Sequence, residues 1–340
     1  MMNDPYAPAG CELTPGALFA KFARMSLPRV LFCFLFILAA TAPDSIAMGR
    51  RQKSRALLMG VLGDSISAGT LSDLPLKPCA KDAAKSAKRP GGVSAKFIYE
   101  NKEKLSWASG RSVSSHFYLL KSYLLASGSP DSLRVENVSS PGDRTRDLPK
   151  QAAELMKQYR EGNYSALTYA TILIGANDAC GKKGATPLDR MRAELLQTFA
   201  KIAEIQQEEP IRILLVGIPR IPDLGAPAIR RTHTPLLGLR CGVVRDRLLG
   251  SCRKLLSWRT EEEYHQAMNI VEERNRLLRS TAIEANATFP NLEIVYSNHL
   301  FDLEIPPAML AIDCFHPSKR GQEAISREVW LDQPWFWMER

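Results

Sequence analysis

The chain has 340 residues and a formal net charge of +9, from 45 lysines and arginines against 36 aspartates and glutamates. Hydrophobic residues make up 45% and charged residues 24% of it, which excludes a disordered chain and a small disulfide-dependent scaffold. The positive charge is concentrated in residues 77–111, with nine basic against three acidic side chains, and in 220–259, with nine against two. Both stretches lack interleaved aromatic residues and any known reading module, so no nucleic-acid partner is expected. They are solvated surface loops, or they contact an anionic membrane surface.

The first predicted element is a secretory signal peptide over residues 25–47. Arg29 precedes an uncharged apolar run over 30–42, and Ser45-Ile46-Ala47 offers the small residues that signal peptidase reads. Cleavage is therefore expected after Ala47, and the protein is expected to be secreted or periplasmic. An uncleaved membrane anchor is the alternative, although the apolar run is short for a span. Residues 1–24 form an N-terminal extension, or Met25 is the initiator.

The mature region 48–340 is expected to be one domain with basic insertions at about 73–111 and 218–259. It contains five cysteines: Cys79, Cys180, Cys241, Cys252 and Cys314. Export favours disulfides, although five cysteines cannot all pair within one chain. Cys241 and Cys252 are close enough in sequence to close a short loop, which makes them the favoured pair. None of the cysteines has zinc-site spacing, so no metal is expected.

Strands and helices are predicted to alternate along the mature region. An apolar strand begins at Ala56 and runs into the turn Gly63-Asp64-Ser65, and further strands are predicted at 133–138, 167–174, 211–216 and 292–296. Helical spacing and capping residues predict helices at 112–125, 147–159, 188–207, 260–285 and 318–330. This alternation indicates an α/β fold: a doubly wound, five-stranded, mainly parallel sheet flanked by helices.

Four short polar segments follow predicted strands or precede the last helix. They contain Gly63-Asp64-Ser65, Gly142, Gly175-Ala176-Asn177-Asp178 and Asp313-Cys314-Phe315-His316. Because the carboxyl ends of parallel strands meet at one edge of a sheet, we expect these segments to lie together.

The residue types in these segments are those of acyl transfer. Ser65 is the candidate nucleophile, His316 its base, and Asp313 the carboxylate that orients the imidazole. The backbone N–H groups of Ser65 and Gly142 and the amide of Asn177 are candidate oxyanion donors. Taken singly, each residue has an ordinary role, as a turn, cap or packing residue. Their joint occurrence in a workable order favours catalysis without a cofactor.

These segments resemble the SGNH or GDSL hydrolases over roughly residues 56–330. The stretches GDRTRDLP (142–149), GANDAC (175–180) and DCFHPS (313–318) are similar to the phospholipase B-like lipases. The resemblance implies a Ser65–His316–Asp313 triad, an oxyanion hole from Ser65, Gly142 and Asn177, and an acyl-ester or lipid substrate. Two features depart from the family pattern: Ile66 stands where leucine is usual, and the basic insertions are additional. Alternative functions are a carboxylesterase acting on acylated sugars or small soluble esters, and a non-catalytic exported lipid-binding protein.

Overall fold

Five parallel strands form the centre of the structure, in the spatial order β2-β1-β3-β4-β5. They are β1 (Ala56–Gly63), β2 (Ser132–Asn137), β3 (Ala166–Leu173), β4 (Ile211–Val216) and β5 (Leu292–Ser297). The computed structural model describes residues 54–76, 100–181, 184–235, 238–250 and 252–337. The strand order and the intervening helices confirm the predicted doubly wound fold. The predicted signal peptide, the N-terminal extension and Cys79 lie outside the described residues.

Five long helices cover the two faces of this sheet. They are α1 (His116–Ala126), α2 (Leu148–Glu161), α3 (Leu188–Ile202), α4 (Glu261–Thr288) and α5 (Lys319–Trp330). Shorter helical turns are Thr145–Asp147, Ala176–Ala179, Ile221–Gly225, Pro227–Arg231, Cys241–Val243, Val244–Leu249, Arg253–Leu256, His299–Asp302 and Pro307–Met309. Helix α4 begins as predicted, because the Thr260 hydroxyl accepts a hydrogen bond from the Glu263 N–H.

Two of the predicted helix features differ in the structure. Helix α3 ends at Ile202 rather than near Gln207, because Gln207 leaves the helix and its amide bonds both the N–H and the carbonyl of Leu167. Asp147 precedes α2 as predicted but makes no side-chain cap; its carboxylate instead accepts from the Arg144 N–H at 2.9 Å.

Successive side chains of β1 point to opposite faces of the sheet and enter two separate apolar cores. Leu58 and Leu62 belong to a cluster with residues of α2, α3 and α4, whereas Met59 and Val61 belong to a cluster with residues of α1 and α5. Each fully buried side chain of this size contributes about 1.5–3 kcal/mol. The result is three layers, with three long helices on one face of the sheet and two on the other.

Four strands end in register. Gly63 pairs with Leu173, Leu173 with Val216, and Val216 with Ser297. The residues that follow these positions therefore emerge together. We call this side of the sheet the carboxyl edge.

The two segments predicted as surface insertions contribute buried side chains. Residues 105–110 are buried, and Trp107 is fully enclosed, because it packs in the core cluster shared with α1 and α5. In the segment 218–259, Ile221 and Leu256 are among the residues that join the other core. Residues 77–99, which hold much of the first basic stretch, lie outside the described residues.

The disulfide pairing differs from the prediction. Cys180 bonds Cys252, and Cys241 bonds Cys314, with Cα atoms 4.5 and 5.5 Å apart respectively. The expected Cys241–Cys252 pair is wrong because the segment 218–259 does not close on itself. It lies against the carboxyl edge, where each of its cysteines meets a loop that follows another part of the sheet.

Candidate active site

The turn that carries Ser65 is fixed by the residues on either side of β1's end. Gly63 has φ +141°, and a Cβ there would fall on the carbonyl oxygen of Leu173. The Asp64 carboxylate accepts a hydrogen bond from the Ile66 N–H at 2.9 Å, as expected for a residue that holds the turn. Burial raises the pKa of Asp64 to about 7. The turn is therefore held by backbone geometry and by Asp64, independently of the Ser65 hydroxyl.

Two buried glutamines hold this turn from opposite faces of the sheet. Gln151 of α2 accepts from the Gly63 N–H and donates to the Gly63 carbonyl, both at 2.8 Å, and it also donates to Asp143 at 2.7 Å. Gln322 of α5 donates to the Ile66 carbonyl at 3.0 Å. Neither glutamine was predicted as a site residue, because a single glutamine in an amphipathic helix carries no recognisable signal.

Asp313 makes two hydrogen bonds to His316 and one to the neighbouring Phe315. Its Oδ2 lies 2.5 Å from His316 Nδ1, and its Oδ1 accepts from the N–H groups of Phe315 and His316 at 3.1 and 3.0 Å. This pairing leaves the His316 Nε2 free of Asp313. The loop is tight, since Cys314 has φ +60° and the Ala311 N–H donates to the His316 carbonyl at 2.7 Å.

Asp313 and His316 shift each other's pKa. Burial opposes ionisation of Asp313, but the charge of His316 and the hydrogen bonds to the carboxylate lower the pKa of Asp313 overall. Burial likewise opposes protonation of His316, but the charge and hydrogen bond of Asp313, with a smaller effect of Asp64, raise the pKa of His316 above 6.5. An ionised Asp313 beside His316 is the arrangement that stabilises an imidazolium.

Asn177 is linked to the loop that contains Gly142. The Asn177 Nδ2 donates to the Asp143 carbonyl at 2.9 Å. Gly142 has φ +86° and occupies a turn closed by the Asp143 N–H, which donates to the Ser140 carbonyl at 3.2 Å. One hydrogen of the Asn177 amide thus orients the group, and the second has no partner in the part of the chain that the structure describes.

An apolar pocket opens at the carboxyl edge beside these residues. Ser65, Asn177 and His316 are among the residues that line it, and so is Ala176. The other lining residues come from the turn after β1, from the segments after β4 and β5, and from α5. They are apolar residues and one glycine: Ile66, Pro219, Ile221, Leu224, Leu300, Leu303, Ile305, Met309, Leu310, Phe315, Pro317, Gly321 and Ile325. These apolar residues were not predicted, since they are scattered over loops without a periodic pattern.

The structure therefore brings together most of the predicted site. Ser65, Asn177 and His316 share one pocket, with Asp313 bonded to His316. Gly142 does not line this pocket and is connected to it through the Asp143 carbonyl. Among the described residues, no hydrogen bond joins the Ser65 hydroxyl to His316, although such bonds between nucleophile and base commonly tighten only when substrate is bound.

Two further features bear on the kind of site. Within the described ranges, no group of three or more histidine, cysteine, aspartate or glutamate side chains could hold a metal ion. Over the same part of the chain, no helix is both long and apolar enough to cross a membrane.

Comparison with known proteins gives a family match and several similar structures. Residues 59–329 match the family described as GDSL-like lipase/acylhydrolase. TesA is 17% identical, with a TM-score of 0.42 and coverage of 81% of this chain and 97% of TesA. A psychrotrophic esterase, EstA from Pseudoalteromonas sp., is 15% identical, with a TM-score of 0.39 and coverage of 81% and 95%. An aryl esterase of M. smegmatis is 15% identical, with a TM-score of 0.40 and coverage of 82% and 100%. No curated protein matches the chain at a significant level.

Proposed function

Because this chain belongs to the family of GDSL-like lipases and acylhydrolases, and is therefore an ester hydrolase, we propose that it cleaves acyl esters with Ser65, His316 and Asp313 as its triad. The observation that carries this proposal is the pocket that Ser65, His316 and Asn177 share. Asp313 bonds the far side of the imidazole, as the base of a serine hydrolase requires.

The proposed reaction has two acyl-transfer steps. His316 Nε2 takes the Ser65 hydroxyl proton as Ser65 Oγ attacks the ester carbonyl carbon, and the imidazolium is stabilised by Asp313. The C–O bond to the alcohol then breaks, and the leaving alkoxide takes the proton from His316. A water molecule hydrolyses the resulting acyl-Ser65 ester by the same route and releases the fatty or other carboxylic acid. The oxyanion of each tetrahedral intermediate accepts from Asn177 and from the backbone N–H groups of Ser65 and Gly142.

The substrate proposed is a lipid acyl ester, as in the phospholipase B-like lipases. The lining of the pocket supports it, because apolar side chains from three separate segments surround Ser65 and suit a hydrocarbon chain. Short soluble esters and acylated sugars offer little apolar surface to such a lining.

We propose that the protein is exported and acts outside the cytoplasm, after its signal peptide is cleaved behind Ala47. The two disulfides support it, since such bonds persist mainly in oxidising compartments. The basic segments 77–111 and 220–259 are proposed to draw the enzyme toward anionic membrane surfaces.

The test compares the mature protein with Ser65→Ala and with Ser67→Ala as the matched control. Ser67 lies two residues further on, and its buried hydroxyl has no hydrogen-bond partner among the described residues. Phospholipids, lysophospholipids, short nitrophenyl esters and acetylated sugars are offered to each protein. We expect Ser65→Ala to lose several orders of magnitude in turnover, and Ser67→Ala to keep it. Unchanged activity in folded Ser65→Ala would refute the triad, and a preference for acetylated sugars or short esters would refute the lipid assignment.

A further inference from the structure

A second cavity, separate from the apolar pocket, is lined by described residues between Arg230 and Arg259. Six arginines line it: Arg230, Arg231, Arg240, Arg247, Arg253 and Arg259. The acidic residue that lines it with them is Asp246, so the formal charge of the lining is +5. The cavity shares no lining residue with the apolar pocket.

The carboxylate of Asp246 already forms ion pairs with two arginines. It pairs with the fully buried Arg245 at 3.0 Å and with Arg230 at 3.2 Å. Arg245 is not part of the lining, and it balances the charge of Asp246 from behind. Near the other lining arginines, the Glu263 carboxylate accepts from the backbone N–H of Arg259 at 2.6 Å. The six lining arginines still outnumber these two carboxylates.

The guanidinium groups divide into oriented and free ones. Arg231 donates to the Pro227 carbonyl at 3.2 Å, and Arg253 donates to the Asp246 carbonyl at 2.9 Å. In the described part of the chain, the guanidinium groups of Arg240, Arg247 and Arg259 have no carboxylate or carbonyl partner. Like charges around a concave surface repel one another, and a concave surface also focuses their field outward. Both effects favour an anionic ligand.

The chemistry of the lining indicates which anion fits. The lining cations are all arginine, whose planar forks donate pairs of parallel N–H groups. A carboxylate is satisfied by one or two such groups. A phosphate ester presents more terminal oxygens and up to two charges, so it can engage several arginines at once.

Two disulfides link the segment that forms this cavity to the loops of the proposed active site. Cys241, which follows Arg240, bonds Cys314 in the Asp313–His316 loop, and Cys252, which precedes Arg253, bonds Cys180 just after Asn177. The same segment supplies Ile221 and Leu224 to the apolar pocket. A ligand bound among the arginines is thus held at a fixed place relative to Ser65.

We propose that the arginine-lined cavity is a binding site for phosphate groups, distinct from the catalytic pocket. The phosphate belongs to a lipid headgroup or to a soluble phosphorylated compound, and both share the chemistry that the arginines recognise. This inference goes beyond the proposed ester hydrolysis and does not depend on it, because no residue of the cavity takes part in the reaction.

The experiment measures binding in the Ser65→Ala protein, so that no lipid is consumed and catalytic failure has no influence. Pyrophosphate, citrate at matched ionic strength, vesicles of phosphatidylcholine, and vesicles that also contain phosphatidic acid are titrated. The test variant is Arg240→Ala/Arg247→Ala/Arg259→Ala. The control variant, Arg111→Ala/Arg134→Ala/Arg276→Ala, removes the same charge from exposed positions outside the cavity. Circular dichroism and melting temperature establish that both variants are folded.

We expect pyrophosphate or the phosphatidic acid vesicles to bind more tightly than citrate or phosphatidylcholine. The cavity variant should lose roughly tenfold or more of that affinity, and the control should stay within about twofold. Binding of pyrophosphate identifies a soluble phosphate ligand, and binding of the vesicles alone identifies a headgroup. The proposal is overturned if neither phosphate probe binds better than its control, or if both triple variants weaken binding equally.

Discussion

The side-chain amide of Asn177 is oriented by a hydrogen bond to a neighbouring loop. One of its N–H groups is occupied by the Asp143 carbonyl at 2.9 Å, which fixes the plane of the amide. Its other N–H is the only one that can meet a developing oxyanion, because an amide nitrogen carries two hydrogens. As a proposed oxyanion donor, Asn177 is expected to stabilise the transition state more than the ground state.

We expect Asn177→Ala to lower kcat by about 10²–10³-fold with little change in KM. Asn269→Ala, at an exposed position of α4, is the matched control and should keep full activity. Steady-state kinetics on a soluble ester give both constants. A rise confined to KM would place Asn177 in substrate binding instead.

The pKa of His316 predicts the acidic side of the pH–rate profile. Burial lowers the pKa of His316, but Asp313, assisted by Asp64, raises it overall above 6.5. In the proposed mechanism His316 must be neutral to accept the Ser65 proton. Activity should therefore fall as the pH drops through a midpoint above 6.5. Asp313→Asn removes the charge that holds this proton, so its residual activity should have a lower midpoint.

The measurement is kcat/KM against pH with a neutral soluble ester. His299→Gln, which alters a histidine outside the pocket, is the control and should leave the midpoint in place. A midpoint that does not move in Asp313→Asn would mean that another group governs the profile, for example Asp64, whose pKa burial raises to about 7.

At the scale of elements, the strands and the polar turns were predictable because they carry local signals. Strand β4 matches its prediction at both ends, and the other strands differ by a residue or two, since apolar β-branched runs and turn residues bracket each one. The meeting of Ser65 and Asn177 followed from topology, because parallel strands end at one edge, and His316 was placed there because its segment precedes the last helix.

Contacts between distant segments were not predictable from such local signals. Trp107 lies in a glycine- and lysine-rich region whose composition predicts a surface loop, yet it is fully buried in a core cluster with residues remote in sequence, such as Tyr169 and Ile325. Gln151 and the pairings of Cys180 and Cys241 depend on which segments meet in space. Sequence spacing favoured a short Cys241–Cys252 loop, whereas folding brought each cysteine to a loop more than seventy residues away.

At the scale of the whole molecule, a buried histidine links elements that lie far apart in the chain. His116 at the start of α1 is fully buried, with its ring 4.9 Å from that of Trp107 and 5.0 Å from that of Trp330. Its Nε2 lies 3.1 Å from the Ser326 carbonyl, which can only accept, so this nitrogen carries the proton. Its Nδ1 then accepts from the Tyr169 hydroxyl at 2.8 Å.

This arrangement predicts that the fold is sensitive to acid. Burial lowers the pKa of His116 to about 3 from 6.5, so the folded protein keeps it neutral while the unfolded chain takes up a proton below pH 6.5. Because the unfolded state then binds more protons, the free energy of unfolding falls as the pH drops from 6.5 toward 3. Through His116 alone, the free energy of unfolding should be about 3 kcal/mol lower at pH 4 than at pH 7.

His116→Gln isolates this effect, since glutamine has a donor for Ser326 and an acceptor for Tyr169 but does not titrate. Urea unfolding of both proteins between pH 7 and pH 4 should show a smaller loss of stability in His116→Gln. His265→Gln, at an exposed position of α4, should follow the original protein at every pH. Equal acid sensitivity in His116→Gln and the original protein would show that other groups control it.

Because Trp107, Tyr169 and Trp330 belong to one core cluster, protonation of His116 should unfold the domain cooperatively, so fluorescence and circular dichroism should report the same midpoint.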